Sequence, residues 1–223
     1  MTSSSPLPAS GAKHLQIDVW SDVACPWCYI GKSRLEKAIA SSDHAGSITV
    51  FPHSFELDPA ASREPIPTLE LLSGKLRLPQ EQVERMEDQM IALATAEGLE
   101  YTPHRVNANS FDAHRVLHLA ATYGLAGQLL GVLQRELFSG RANVYDPVFL
   151  VAAATGLGIP GERVEEVLAG DEFEEEVRQD EHAARRLGIT GVPFAVLAGR
   201  YAIPGAASVE GYAQAIEQAW DNA

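Results

Sequence analysis

Cys25 and Cys28 are the only cysteines in the chain, and two residues separate them. Ahead of them, Leu15-Gln16-Ile17-Asp18-Val19-Trp20 alternates apolar and polar side chains, the period of a half-buried strand. Behind them, Gly31 to Ala40 carries Leu35, Ala38 and Ile39 at helical spacing. The pair therefore sits where a strand ends and a helix begins. Any fold open to this chain must run a strand into a helix at that turn.

The placement has chemical consequences. The first turn of a helix carries unpaired N–H groups and the positive end of the macrodipole, so a thiolate is expected to be favoured at Cys25. Pro26 suits the first helical position, where its missing N–H has no intrahelical partner to lose. Cys28 lies one turn in, where its sulfur can attack a mixed disulfide formed on Cys25. The arrangement reads as an attacking and a resolving thiol, the parts of thiol–disulfide exchange. A zinc site is the competing use of such a pair, but no second C-x-x-C follows to complete four ligands. His114 and His118, four apart, share a helical face without further ligands in register, so no metal is expected. A structural disulfide across two residues would close a very small loop and stabilise little.

The 223 residues suit one domain or a domain with an insertion. The net charge of −13 argues against nucleic acid as a partner. No apolar run approaches the length of a membrane span, so no membrane partner is expected. The start, Met1 to Lys13, is rich in Ser, Ala and Pro, lacks a basic and an apolar signal region, and reads as a flexible lead (1–13). A cytoplasmic location is expected, where a dithiol rests reduced.

Along the chain, Ser47 to Leu57 reads as a second strand with Ile48, Val50, Phe55 and Leu57 as its apolar positions. With the first strand and helix it makes a parallel β-α-β unit. Asp58 to Pro67, with three prolines, reads as a loop. From Thr68 to Gly188 the pattern is helical: Leu69 to Leu76, Val83 to Ala94, Phe111 to Ala120, Leu125 to Phe138, a helix opened by Asp146-Pro147, and two more before Gly188. Leu99 to Ser110 reads as irregular. The acidic run Asp171 to Glu176 sits at a helix start and reads as a solvated face. Strand character returns in Ile189 to Leu197 and Arg200 to Gly205, turned at Ala198-Gly199. A closing helix, Val209 to Trp220, has Ser208 as its N-cap. The expected organisation is a sheet unit of 14–67 and 189–223 interrupted by an all-helical insertion, 68–188.

Cys25-Pro26-Trp27-Cys28 after a strand, and Gly191-Val192-Pro193-Phe194 before one, resemble the thioredoxin fold and, more narrowly, the DsbA family with its helical insertion. The stretches Ser21 to Gly31 and Asn109 to Arg115 are similar to cytoplasmic FrnE-like proteins, relatives of 2-hydroxychromene-2-carboxylate isomerase and kappa-class glutathione transferase. Those relatives carry serine where this chain has Cys25, which favours redox chemistry here. The resemblance implies an α/β thioredoxin fold and a protein disulfide oxidoreductase or isomerase, with Cys25 as nucleophile and Cys28 as resolving thiol. It also implies a cis Val192–Pro193 bond beside the dithiol, with Val192 and Pro193 holding substrate backbone. Pro26 and Trp27 would tune the pair and offer an apolar contact, and Asn109 and His114 would line the cleft from the helical block. No cofactor is expected beyond the dithiol itself, with glutathione as a candidate co-substrate and a homodimer as a candidate assembly. Two other readings stay open: a glutathione-dependent isomerase or transferase of a small aromatic substrate, and a chaperone-like binding protein.

Overall fold

The structure is a computed structural model and describes residues 13–222. The expected lead lies outside them except for Lys13. The chain opens with β1 (Leu15–Ser21), α1 (Pro26–Ala40) and β2 (Ile48–Ser54). It closes with β5 (Phe194–Leu197), β6 (Tyr201–Pro204) and α9 (Val209–Asp221). These strands form one sheet in the order β2-β1-β5-β6. β1 runs parallel to β2, with Leu15 opposite Ile48 and Ser21 opposite Ser54. β5 lies antiparallel on the other side of β1, and β6 antiparallel to β5. This is the thioredoxin arrangement that the motif order predicts.

The alternation along β1 decides what covers each face. Leu15 and Ile17 are fully buried with Ala195 and Leu197 of β5, under Leu35 and Ala38 of α1 and Tyr212 and Ile216 of α9. Trp20 points the other way and packs with Ala184 and Ile189. Ala198 and Gly199 both hold positive φ (51° and 65°), which lets the two-residue β5–β6 turn follow the strand twist.

Between the two halves run α2 (Thr68–Leu76), α3 (Gln80–Ala96), α4 (Phe111–Thr122), α5 (Ala126–Phe138), α6 (Pro147–Gly156), α7 (Gly161–Ala169) and α8 (Glu174–Arg186). The predicted cap of α6 is made: the Asp146 side chain accepts from the Val148 N–H ahead of Pro147. Ser208 caps α9 in the same way through the Gly211 N–H. No helix among the described residues is long and apolar enough to cross a membrane.

As expected, the apolar strand follows Pro193 directly, beginning at Phe194, and the Pro193 nitrogen has no hydrogen to give a ladder. Two expectations change. The second strand stops at Ser54, with one further bond from the Phe55 N–H to the Ser21 carbonyl of β1. The two segments expected as loops hold β3 (Ile66–Pro67) and β4 (Val106–Asn107), which pair antiparallel.

The helical block has its own core, built on Val116, Leu129, Leu133, Leu137, Phe138 and Val164. Val23 and Tyr29, on either side of the cysteines, belong to this core rather than to the sheet's. The Tyr29 ring stacks on Phe138 with centroids 5.0 Å apart. The first turn of α1 is thus fixed between the two cores.

Candidate functional site

Cys25 is the N-cap residue of α1, extended at φ −89° and ψ 116°, and Pro26 is the first helical residue. The Cys25 carbonyl accepts from the Cys28 and Tyr29 N–H groups at 3.1 and 3.2 Å, closing the first turn. Both thiols are free. Both cysteines are buried, and their sulfurs differ in position along the helix and in partners. The Cys25 thiol donates to the Val192 carbonyl at 3.6 Å. Cys28 lies a turn deeper, and burial pushes its thiol well above the ordinary cysteine value, helped by Cys25 and by the charge of Asp22.

Val192–Pro193 is cis. Pro193 is buried, while Val192 is half-buried. The fit to α1 requires glycine at position 31: a Cβ there would sit 3.0 Å from the Pro193 ring and 3.3 Å from the Ala206 methyl. Gly31 therefore lets the dithiol helix lie against the proline loop.

Trp27 stays 43% exposed. With Pro26 it forms one wall of a cleft of about 410 Å3, whose other walls include Leu57, Ile66, Leu72, Met86 and Met90. That volume falls in the range of small-ligand sites, roughly 300–1,000 Å3. The floor holds a buried ion pair, Arg105 to Glu87 at 2.6 Å, so the charges there are matched. The helical periodicity of Val83 to Ala94 reads as core, yet its methionines face this cleft. Methionine fills irregular space and tolerates varied contacts.

Asn109 and His114 are not cleft walls. The Asn109 amide donates to Glu56 Oε1 at 3.1 Å and to the Pro59 carbonyl at 3.3 Å, while its Oδ1 accepts from the Phe111 N–H at the start of α4. His114 is 1% exposed, and its Nε2 stands 3.4 Å from Asp22 Oδ1. The site thus brings together Cys25, Cys28, Pro26, Trp27, Val192 and Pro193, and sets Asn109 and His114 behind them.

Several buried charges here were not singled out from sequence. Asp22 accepts from the Ala24 N–H at 3.1 Å and the Leu57 N–H at 2.8 Å. Burial pushes its carboxyl up, but the His114 ring and those two N–H groups outweigh it and leave it below the ordinary aspartate value. Glu56 is held by Arg178 at 2.6 Å, and Arg178 also reaches Glu181 at 2.9 Å. Burial nonetheless leaves the Glu56 carboxyl above its ordinary value. The available signal for Asp22 was its place two residues before a backbone N–H at a turn, a spacing at which aspartate bonds its own main chain.

The DSBA-like thioredoxin domain family matches residues 16–217. The chain is 42% identical to a probable DsbA oxidoreductase from Streptomyces coelicolor, with a TM-score of 0.89 over 94% of this chain and 92% of that one. It shares its fold, at 15% identity and a TM-score of 0.72, with 2-hydroxychromene-2-carboxylate isomerase, covering 91% of this chain and 95% of that one. It also shares it with the cytosolic disulfide reductase DsbM from Pseudomonas aeruginosa, at 16% identity and a TM-score of 0.64 over 93% of this chain and 100% of that one. DsbM has also been solved with GSH.

Proposed function

Because this chain belongs to the DSBA-like thioredoxin domain family, we propose that it is a thiol–disulfide oxidoreductase in which Cys25 attacks and Cys28 resolves. One observation carries the assignment of roles: the two thiols are unlike. Cys25 caps the helix beside the apolar cleft, where the dipole meets a developing negative charge. Cys28 is buried one turn in, its thiol held protonated until it is needed. In the reducing direction the Cys25 thiolate attacks a substrate disulfide, forming a mixed disulfide and expelling one substrate thiolate. Cys28 then attacks Cys25, a Cys25–Cys28 disulfide forms, and the second substrate thiolate leaves. The dithiol loses two electrons and the substrate gains them. The reverse sequence oxidises a substrate dithiol.

Trp27 and Pro26 offer the substrate an apolar wall, and Met86 and Met90 receive a side chain beyond it. The Val192 main chain lies at the Cys25 sulfur and supplies an acceptor for an extended substrate backbone. Protein disulfides and small disulfides such as glutathione's are the proposed substrate class. The GSH bound by the similarly folded DsbM supports the second. A cytoplasmic home suits a dithiol that rests reduced. An isomerase or transferase needs no resolving thiol, and Cys28 counts against that reading.

The test is turbidimetric insulin reduction by dithiothreitol with wild type, Cys25→Ser and Cys28→Ser. Wild type is expected to shorten the lag, Cys25→Ser to match the uncatalysed control, and Cys28→Ser to accumulate a mixed disulfide visible by mass. If wild type fails to accelerate both insulin and oxidised-glutathione reduction, the assignment fails.

A further inference from the structure

A second groove runs between α1 and α5 and shares no wall residue with the methionine-lined cleft. Its volume is about 620 Å3, within the range of small-ligand sites. Lys32 and Glu36 of α1, Val50 of β2 and Gly127 of α5 line it and also form the mouth of a smaller cavity of about 80 Å3. That cavity lies between α1 and the sheet, walled by Val19, Leu35, Pro52, Leu130, Pro193 and Cys28. Cys28 thus borders a space of its own, separate from the one that Trp27 borders.

Two features show that this space is not a packing accident. The cavity has room for several waters, at about 10–15 Å3 each, yet its wall offers them few partners. Tyr212, also in the wall, gives its hydroxyl to the Gly205 carbonyl. A void in a close-packed core forfeits contacts along its wall, and an apolar group entering it restores them. The second feature is the glycine at the mouth. Gly131 makes room for Lys32, since a Cβ there would lie 3.2 Å from the ammonium nitrogen. Gly127, one turn earlier, has no such reason: it is helical, and a Cβ there would meet nothing within 4 Å. Glycine is a poor helix former, so a local preference is broken here with no gain in packing or backbone geometry, as happens at functional positions. What the missing side chain leaves open is the mouth of the cavity.

The groove also selects the charge of a guest. Lys32 and Arg135 are its cations, against one carboxylate, Glu36. Lys32 pairs with Glu36 one turn along α1, and Glu36 is largely exposed, a kind of pair that is worth little. Arg135 pairs with Glu136, which keeps Arg141 when Arg135 turns away. Both cations can therefore swing to an anion at small cost, in a chain whose net charge of −13 otherwise repels anions.

We propose that the groove and cavity form a binding site for a small amphipathic carboxylate, its head on Lys32 and Arg135 and its alkyl tail running between α1 and the sheet to Cys28. The resolving sulfur must shift toward Cys25 to bond with it. A tail packed on the resting dithiol favours the resting position, so the occupied site slows turnover. That consequence rests on the dithiol reading above; the site itself does not.

The probe is octanoate, titrated calorimetrically into the reduced protein. Wild type is expected to bind it saturably, and to bind octylamine, with the same tail and the opposite charge, roughly tenfold more weakly or worse. Gly127→Leu, which puts a side chain in the open mouth, and Lys32→Gln are each expected to lose about tenfold or more in affinity. Met90→Ala, in the other cleft, should stay within about twofold, as distant sites do. No saturable binding, octylamine binding as well as octanoate, or affinity lost in Met90→Ala and kept in Gly127→Leu overturns the site. In the insulin assay, saturating octanoate should slow wild type about twofold or more and leave Gly127→Leu unaffected. Octanoate that binds wild type without changing its insulin rate overturns the link to Cys28. A wild type inactive on both insulin and oxidised glutathione overturns the dithiol reading, and the titration still decides the site.

Discussion

Two histidine–carboxylate clusters join the sheet to the helical block, and they are built oppositely. In the outer one, His53 on β2 lies between Asp18 of β1 and Asp180 of α8, with both contacts at 2.8 Å. Asp180 also accepts from the Ser54 N–H at 2.8 Å and meets His118 at 3.1 Å. Trp20 stacks on the His53 ring with centroids 4.6 Å apart, and its indole N–H donates to the Asp180 carbonyl. Burial pushes His53 down, but the two carboxylates more than offset it and raise it to about 9. In the inner cluster, Asp22 accepts from the Ala24 and Leu57 N–H groups and stands 3.4 Å from a histidine whose ring nitrogens make no hydrogen bond in the protein. The first cluster is satisfied and reads as a fastening. In the second, beside the dithiol, the carboxylate is held by main-chain N–H groups and the histidine is not held.

The largest effect should follow from breaking the outer cluster. Asp180→Ala strips the partner from His53, His118 and the Ser54 N–H at once. Removing one member of a largely buried pair costs about 3–5 kcal/mol, and the partial exposure of this one sets the expectation near the lower end. Urea unfolding measures it. His114→Gln, which gives up no good hydrogen bond, should cost about half as much or less. Equal losses would erase the difference between the clusters.

The pH dependence follows next. His53 is raised in the folded state from its ordinary 6.5 to about 9, so its contribution is complete below pH 6.5 and is lost as pH climbs through 9. The loss is on the order of 3 kcal/mol, at about 1.4 kcal/mol per tenfold change in proton affinity. Asp180 is held low by the same contacts after burial is overcome, so it restates this interaction from the acid side and adds nothing separate. Urea midpoints of wild type should fall between pH 7 and 9, and those of His53→Gln should fall much less. Parallel curves would show that the outer histidine is not held charged.

The difference between the clusters also marks what could be read from the sequence. The strand–helix turn at Cys25, the Asp146-Pro147 helix start and the Ala198-Gly199 turn were legible because each is decided within four residues. The β3–β4 pairing was not, since Ile66 meets Asn107 across forty-one positions and two-residue strands carry no period. Asp22, Glu56 and Glu181 carry no signal of burial in the sequence. Only the arrival of α4 and α8 over the sheet's end buries them. His114 and Asn109 were placed near the site by resemblance. Folding sets them behind the dithiol, because α4 turns its buried face toward Asp22 and Glu56 and away from the methionine-lined cleft.

The smallest expected change is at the residue the two clusters share. His118 meets Asp180 of the outer cluster at 3.1 Å and Ser54 Oγ at 3.2 Å, and lines a small cleft beyond His114. It is partly exposed, and Asp180 keeps two other donors without it. His118→Gln should therefore cost no more than about 1 kcal/mol, the net worth of one hydrogen bond. A larger loss of stability, measured by urea unfolding, would make His118 part of the fastening.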